Sequence, residues 1–200
     1  MSPKSIAILS NPDARGHIVY PYTDQTQVAD AVCLFATAGL QKGDAVLLVM
    51  THDHREPIRR RLEEQGFNLK ELEGTGQLAC EDAKDLLTTF MFDGIIDDHK
   101  FKTKLGRMIE RAKYAGGHRR SVRVFGEIVD LLWQADPHTT LRLEELWNEV
   151  IEAHSVPLLC AYSLAGIKTG CIPRLAPGVS FSQYRESRLR LLARPSNART

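Results

Sequence analysis

Apolar positions in this chain fall into two rhythms, and the two alternate. Ile18–Tyr20 is a short apolar run, followed by Val28, Ala31, Val32, Phe35 and Gly39 at helical spacing. Asp24 and Gln27 stand at capping-box spacing before that helix, and Gly39 is read as its stop. Lys42-Gly43-Asp44 is a turn, and Ala45–Met50 is a continuous apolar run, as in a strand covered on both faces. Pro57 is expected to open a second helix that buries Ile58 and Leu62 and closes at Gly66. Gln77–Cys80 reads as a strand and Asp82–Met91 as a helix, broken by Phe92-Asp93-Gly94. Asp97–Ala115 is a longer helix, Val122–Phe125 a strand, and Glu127–Trp133 a short helix. Thr140–Ala153 is amphipathic through Leu143, Leu146, Trp147, Val150 and Ile151, and Pro157–Tyr162 is the last clear strand. Residues 1–15 read as a loose polar arm, and a short basic helix is expected over Arg185–Arg194.

Strands alternating with helices imply an α/β fold with a doubly wound, mainly parallel sheet of about five or more strands. Ligands of such sheets sit beyond the carboxyl ends of the strands. Those ends are Tyr20–Asp24, Thr51–Arg55, Cys80–Asp82, Phe125–Glu127 and Tyr162–Ser163.

The first strand–helix turn has the outline of a nucleotide-binding unit without its phosphate contacts. A phosphate loop needs Gly-x-x-x-x-Gly-Lys-Ser/Thr, so that bare backbone can wrap the anion and a lysine can neutralise it. The chain instead reads Tyr20-Pro21-Tyr22-Thr23-Asp24-Gln25-Thr26. It has no glycine and no lysine there, and Asp24 adds a negative charge.

Composition narrows the class further. A chain of 200 residues suits one well-cored domain, and its net charge of +1 argues against a nucleic-acid or membrane-surface role. No apolar run approaches the ~20 residues of a membrane span, and the first residues are too polar for a signal peptide. A cytoplasmic location is expected. Cys33, Cys80, Cys160 and Cys171 form no C-x-x-C pair, so reduced thiols rather than a metal cluster are expected, and no cofactor.

Five residues are candidates for a ligand site: Tyr20, Tyr22, His52, Glu127 and Tyr162. The tyrosines combine ring surface with a hydroxyl, which suits a small organic ligand, and packing under the turn is the competing reading. Glu127 follows a strand where a carboxylate can hold a ligand, or can complement the next helix dipole. No catalytic role is expected for it without a phosphate-loop lysine. His52 and His54 alternate on a segment read as extended, with Asp53 between them. They are loop residues, one of which reaches a ligand, more readily than a metal site. Lys100, Lys104, Arg107 and Arg111 form a basic stripe, read as a solvated helix face.

An ordered series of blocks resembles a known family. It runs from His17-Ile18-Val19-Tyr20 through Phe35, Gly39-Leu40-x-x-Gly43-Asp44, Leu62-x-x-x-Gly66 and Phe90-Met91-x-x-Gly94. It continues with Val122–Val129, Leu143-Glu144-x-Leu146-Trp147-Asn148 and Leu158–Tyr162. The series is similar to the MEDS domain, the methanogen/methylotroph DcmR sensory domain, over residues 17–163. The resemblance implies a RecA/KaiC-like fold without a functional phosphate loop. It also implies a bacterial or archaeal sensory module that works in signal transduction and transcription regulation. Partners implied are histidine kinases or anti-sigma-like ATPases, and ligands are hydrocarbon derivatives.

The organisation expected is an arm (1–16), the sensory domain (17–163) and a C-terminal extension (164–200). In the extension, Phe181, Tyr184, Leu189 and Leu192 with Arg185, Arg188, Arg190 and Arg194 would carry output, to a partner or a second copy. The leading reading is a non-enzymatic module that binds a small organic ligand and signals through protein contacts. A non-standard nucleotide-binding enzyme, and an interaction module of a kinase or sigma-factor pathway without a ligand, are the alternatives.

Overall fold

The computed structural model describes residues 1–133, 136–164 and the backbone of 179–181. The strands are β1 (His17–Tyr22), β2 (Ala45–Met50), β3 (Leu78–Asp82), the short pair β4 (Met91–Phe92) and β5 (Ile95–Ile96), β6 (Val122–Gly126), β7 (Leu158–Ser163) and β8 (Val179–Phe181). The helices are α1 (Pro3–Ser10), α2 (Gln25–Gln41), α3 (His52–Glu64), α4 (Leu69–Gly74), α5 (Ala83–Thr88), α6 (Asp98–Tyr114), α7 (Ile128–Trp133) and α8 (Pro137–His154). The main sheet has the order β3-β2-β6-β7-β1-β8, and each of its neighbouring pairs is parallel. The fold is therefore the doubly wound α/β architecture that the alternation implied.

Alternation along each strand splits the core in two. Ile18, Tyr20 and Tyr22 of β1 join Val46, Leu48 and Met50 of β2 on the face covered by α1, α2, α3 and α4. Val19, Leu47, Val49, Val124, Cys160 and Tyr162 face the other way, under α5, α6, α7 and α8. Phe101 forms the centre of that second face, edge-on to both Phe90 and Trp147 at 5.0 and 5.3 Å.

Several elements differ from the sequence expectation for identifiable reasons. The supposed loose arm holds α1: Ser2 caps it, Pro3 sits in its first turn, and Leu9 is fully buried. Helix α3 begins at His52 rather than at Pro57, which lies inside it. The expected helix to Met91 stops at Thr88, because Asp93-Gly94 adopts left-handed backbone (φ 50° and 78°) and folds Met91–Ile96 into a hairpin. Helix α8 starts before Thr140, since Asp136 accepts the His138 N–H and proline fits a first turn. Gly39 does not end α2, which runs on to Gln41. Apart from the β8 backbone, the C-terminal residues expected to carry output lie outside the described residues, as does Arg185–Arg194.

Candidate functional site at the carboxyl ends of the strands

After β2 the chain turns to α3 on one face, and after the adjacent β6 it turns to α7 on the other. Two neighbouring strands whose next helices diverge leave a crevice at their carboxyl ends, where ligands of open α/β sheets sit. Glu127, the first residue beyond β6, stands at this position and is almost fully buried. Its backbone N–H donates to the Val49 carbonyl at 3.0 Å. Its Oε2 accepts the Thr51 backbone N–H at 2.6 Å and the Thr51 hydroxyl at 3.1 Å. Its Oε1 meets Nδ1 of His54, itself only 4% exposed. The Oε1 contact is ionic rather than an aligned hydrogen bond, since Oε1 has no well-directed donor among the described residues.

His54 stands in the first turn of α3, and its ring is edge-on to Tyr22 at 5.9 Å. Burial opposes its charge most strongly. The Glu127 carboxylate, with Asp130 and Asp53, outweighs burial and holds the imidazole above its ordinary value. The far nitrogen, Nε2, is buried and has no hydrogen-bond partner among the described residues. A buried orphan of this kind normally has a partner.

Tyr22 extends the cluster to β1. Its hydroxyl donates to Asp130 Oδ2 at 3.4 Å, and Asp130 Oδ1 accepts the Ser163 N–H at 2.8 Å. Asp130 on α7 thus ties the end of β1 to the end of β7. Burial first, then Glu127, raises the Asp130 carboxyl; burial first, then Asp130 and Glu127, raises the Tyr22 hydroxyl.

Of the five candidates, the structure brings Tyr22 and Glu127 together. Tyr20 shares a face and the same buried core with Tyr22 but lies two residues back from the carboxyl end of β1. Tyr162 lies across the sheet, because the β1–β7 register pairs it with Pro21 and so turns it away from Tyr20 and Tyr22. There its hydroxyl donates to Glu144 and its ring stands edge-on to Trp133. His52 is exposed, since on a helix residues two apart diverge, and His54 takes the buried position. The alternation of His52 and His54 assumed a strand; read as a helix start, the same sequence selects His54 through its four-residue spacing to the buried Ile58. Asp130 was missed inside the apolar run of α7.

The helix start after β1 is already occupied by a carboxylate. Asp24 Oδ1 accepts the N–H groups of Thr26 and Gln27 at 2.9 and 3.0 Å. The Gln27 side chain accepts the Thr23 N–H and hydroxyl at 3.1 and 3.2 Å. The three N–H groups among these are backbone donors that an anion at a helix N-terminus would use.

Comparison with solved structures finds a KaiC-like protein from the hyperthermophilic archaeon Pyrococcus horikoshii, with a TM-score of 0.52 and 13% sequence identity. The match covers 76% of this chain and 62% of that one, so this chain spans under two thirds of that protein's length. At this identity the likeness concerns the fold, and it makes the sheet KaiC-like, hence RecA-like. No curated protein matches the chain. The family model of the methanogen/methylotroph DcmR sensory domain matches residues 16–176, most of the chain, and the protein belongs to this MEDS family.

Proposed function

We propose that this MEDS domain is a cytoplasmic, non-enzymatic sensor that binds a small oxygen-bearing organic molecule at the β2–β6 crevice and signals through protein contacts. The family supports a sensory or regulatory role. The observation that carries the ligand reading is the orphaned Nε2 of His54, held by the Glu127 couple beside the Tyr22 ring. A charged imidazole offers one N–H there, which matches a single acceptor oxygen on a small apolar body such as an alcohol, ketone or short carboxylate.

A ligand at this position touches the ends of β2, β6 and β1 and the first turn of α3, so its binding favours one arrangement of α3 and α7 over another. A histidine kinase, an anti-sigma-like protein or a second copy would read that arrangement. Asp24 speaks against nucleotide, because its carboxylate holds the donors a phosphate needs. No described helix is long and apolar enough to cross a membrane.

Thermal-shift measurements with methanol, acetone, acetate and magnesium–ATP test the reading. At least one organic probe should raise the melting temperature saturably in the wild type and not in His54→Gln, and magnesium–ATP should not. Stabilisation by magnesium–ATP alone would reject it in favour of a nucleotide enzyme.

A further inference from the structure

A second buried polar cluster lies on the opposite face of the sheet, between β1, β7 and α8. His17, at the start of β1, is 3% exposed; Glu144 on α8 is 5% exposed; Cys160 on β7 is fully buried. His17 Nε2 lies 3.4 Å from Cys160 Sγ and 3.1 Å from Glu144 Oε2. One donor atom from each residue falls within 4.8 Å of the others. An imidazole nitrogen, a carboxylate oxygen and a thiol sulfur therefore converge on one point in an otherwise apolar core.

Hydrogen bonding alone does not satisfy this cluster. Nδ1 of His17 lies 2.8 Å from Oδ1 of Asn148, which places a proton on Nδ1. In a neutral ring the Nε2 lone pair then faces a carboxylate oxygen. In a charged ring the one N–H on Nε2 points to the sulfur, and Glu144 Oε2 stays in ionic contact but without an aligned donor, buried. The other carboxylate oxygen, Oε1, is held by the Tyr162 hydroxyl. A cation at the centre removes the conflict.

We propose that His17, Glu144 and Cys160 form a binding site for a borderline-soft divalent transition metal such as zinc. Zinc bonds of about 2.0–2.2 Å to nitrogen and oxygen and about 2.3 Å to sulfur, held tetrahedrally, put neighbouring donors about 3.3–3.6 Å apart. The two separations from the imidazole nitrogen, 3.1 and 3.4 Å, are close to that, and the carboxylate oxygen lies within 4.8 Å of the sulfur. A thiolate and a carboxylate neutralise the charge of the ion, which suits a buried site. The outer contacts are also those of a metal site: Asn148 fixes the imidazole tautomer, and Tyr162 orients the carboxylate. Binding releases to solvent the Cys160 proton and, where the His17 ring is charged, its Nε2 proton as well. Three protein donors leave one tetrahedral position for water or a small oxygen or sulfur donor. This site stands apart from the Glu127–His54 crevice, so either can fail without the other.

The test is cobalt(II) titration of the full chain after chelator treatment under reducing conditions. The expected result is one equivalent of cobalt per chain, with a thiolate-to-cobalt charge-transfer band that zinc displaces. Cys160→Ser should abolish the band, while Cys33→Ser should keep it. Asn148→Ala changes no donor and sits at a half-buried position, so it keeps the fold; it should weaken zinc by about 10-fold or more. The proposal is overturned if the wild type gives no such band at stoichiometric cobalt, if the band survives Cys160→Ser, or if Asn148→Ala leaves zinc affinity unchanged.

Discussion

Arg123 lies across the open side of Gly39, so closely that a Cβ at position 39 would stand 2.7 Å from Cδ and 2.8 Å from Nε of the arginine. Arg123 is a charged residue inside a buried strand, 4% exposed. Its Nε donates to Asp44 Oδ2 at 2.8 Å, and one terminal nitrogen reaches the carbonyls of Leu9, Ser10 and Phe35 at 3.3–3.4 Å. One side chain thus fastens α1, α2 and the turn before β2 to the sheet. Gly39 is required for this close approach rather than for a helix stop. Gly39→Ala should cost about 1–3 kcal/mol, because the pinned guanidinium cannot swing away, and urea denaturation measures it.

Removing the charge tests the same knot from the other side. Arg123→Met leaves Asp44, which is largely buried, without this partner and takes one donor from each of three carbonyls. The expected loss is about 3 kcal/mol in urea denaturation. A loss below about 1 kcal/mol would mean that the arginine only fills space.

In the chelator-treated, metal-free protein, titration of the two buried histidines gives stability a defined pH dependence. For His17, burial opposes the charge and the Glu144 carboxylate beside it outweighs that, so His17 and His54 both sit above the ordinary value of 6.5. Between 6.5 and the raised values the folded protein holds protons that the unfolded chain has released. Their contribution is full below about pH 6.5 and is lost as pH rises through the folded values. The raised Asp130 carboxyl acts in the same sense at lower pH. The urea midpoint should therefore fall from about pH 6 to about pH 9, and less steeply in His54→Gln. A midpoint that rises over this range contradicts the raised values.

The helix start after β1 yields a separate prediction. Asp24→Ala removes the cap on α2 and should destabilise the protein by about 1 kcal/mol. It should not confer ATP binding, since neither the glycines nor the lysine of a phosphate loop are restored. Calorimetric ATP binding by this variant would show that Asp24 alone was the obstacle.

The sheet was legible because β2 and β7 are nearly continuous apolar runs, because β6 is apolar apart from Arg123, and because Asp24 and Gly43 mark the turns after β1 and before β2. Glu127 and Tyr22 were legible from their place just past a strand and at its end. What escaped depends on long-range pairing. Register decides that Tyr162 turns away from Tyr22, and no local pattern specifies which residue of β1 lies opposite it. Arg123 was hidden because its partners, Asp44 and the Leu9 and Phe35 carbonyls, come from three distant segments. Thr140, Glu144 and Asn148 recur at four-residue intervals beside the apolar stripe of α8, a signal that could have marked the buried carboxylate.

Nitrogen NMR of the His54 imidazole shows directly whether a small organic molecule meets His54 at the ends of β2 and β6. Titration with methanol, acetone or acetate should shift the Nε2 resonance saturably for at least one probe, Glu127→Gln should weaken that response, and magnesium–ATP should leave the resonance unmoved. A His54 resonance that ignores every organic probe but responds to magnesium–ATP would contradict the account.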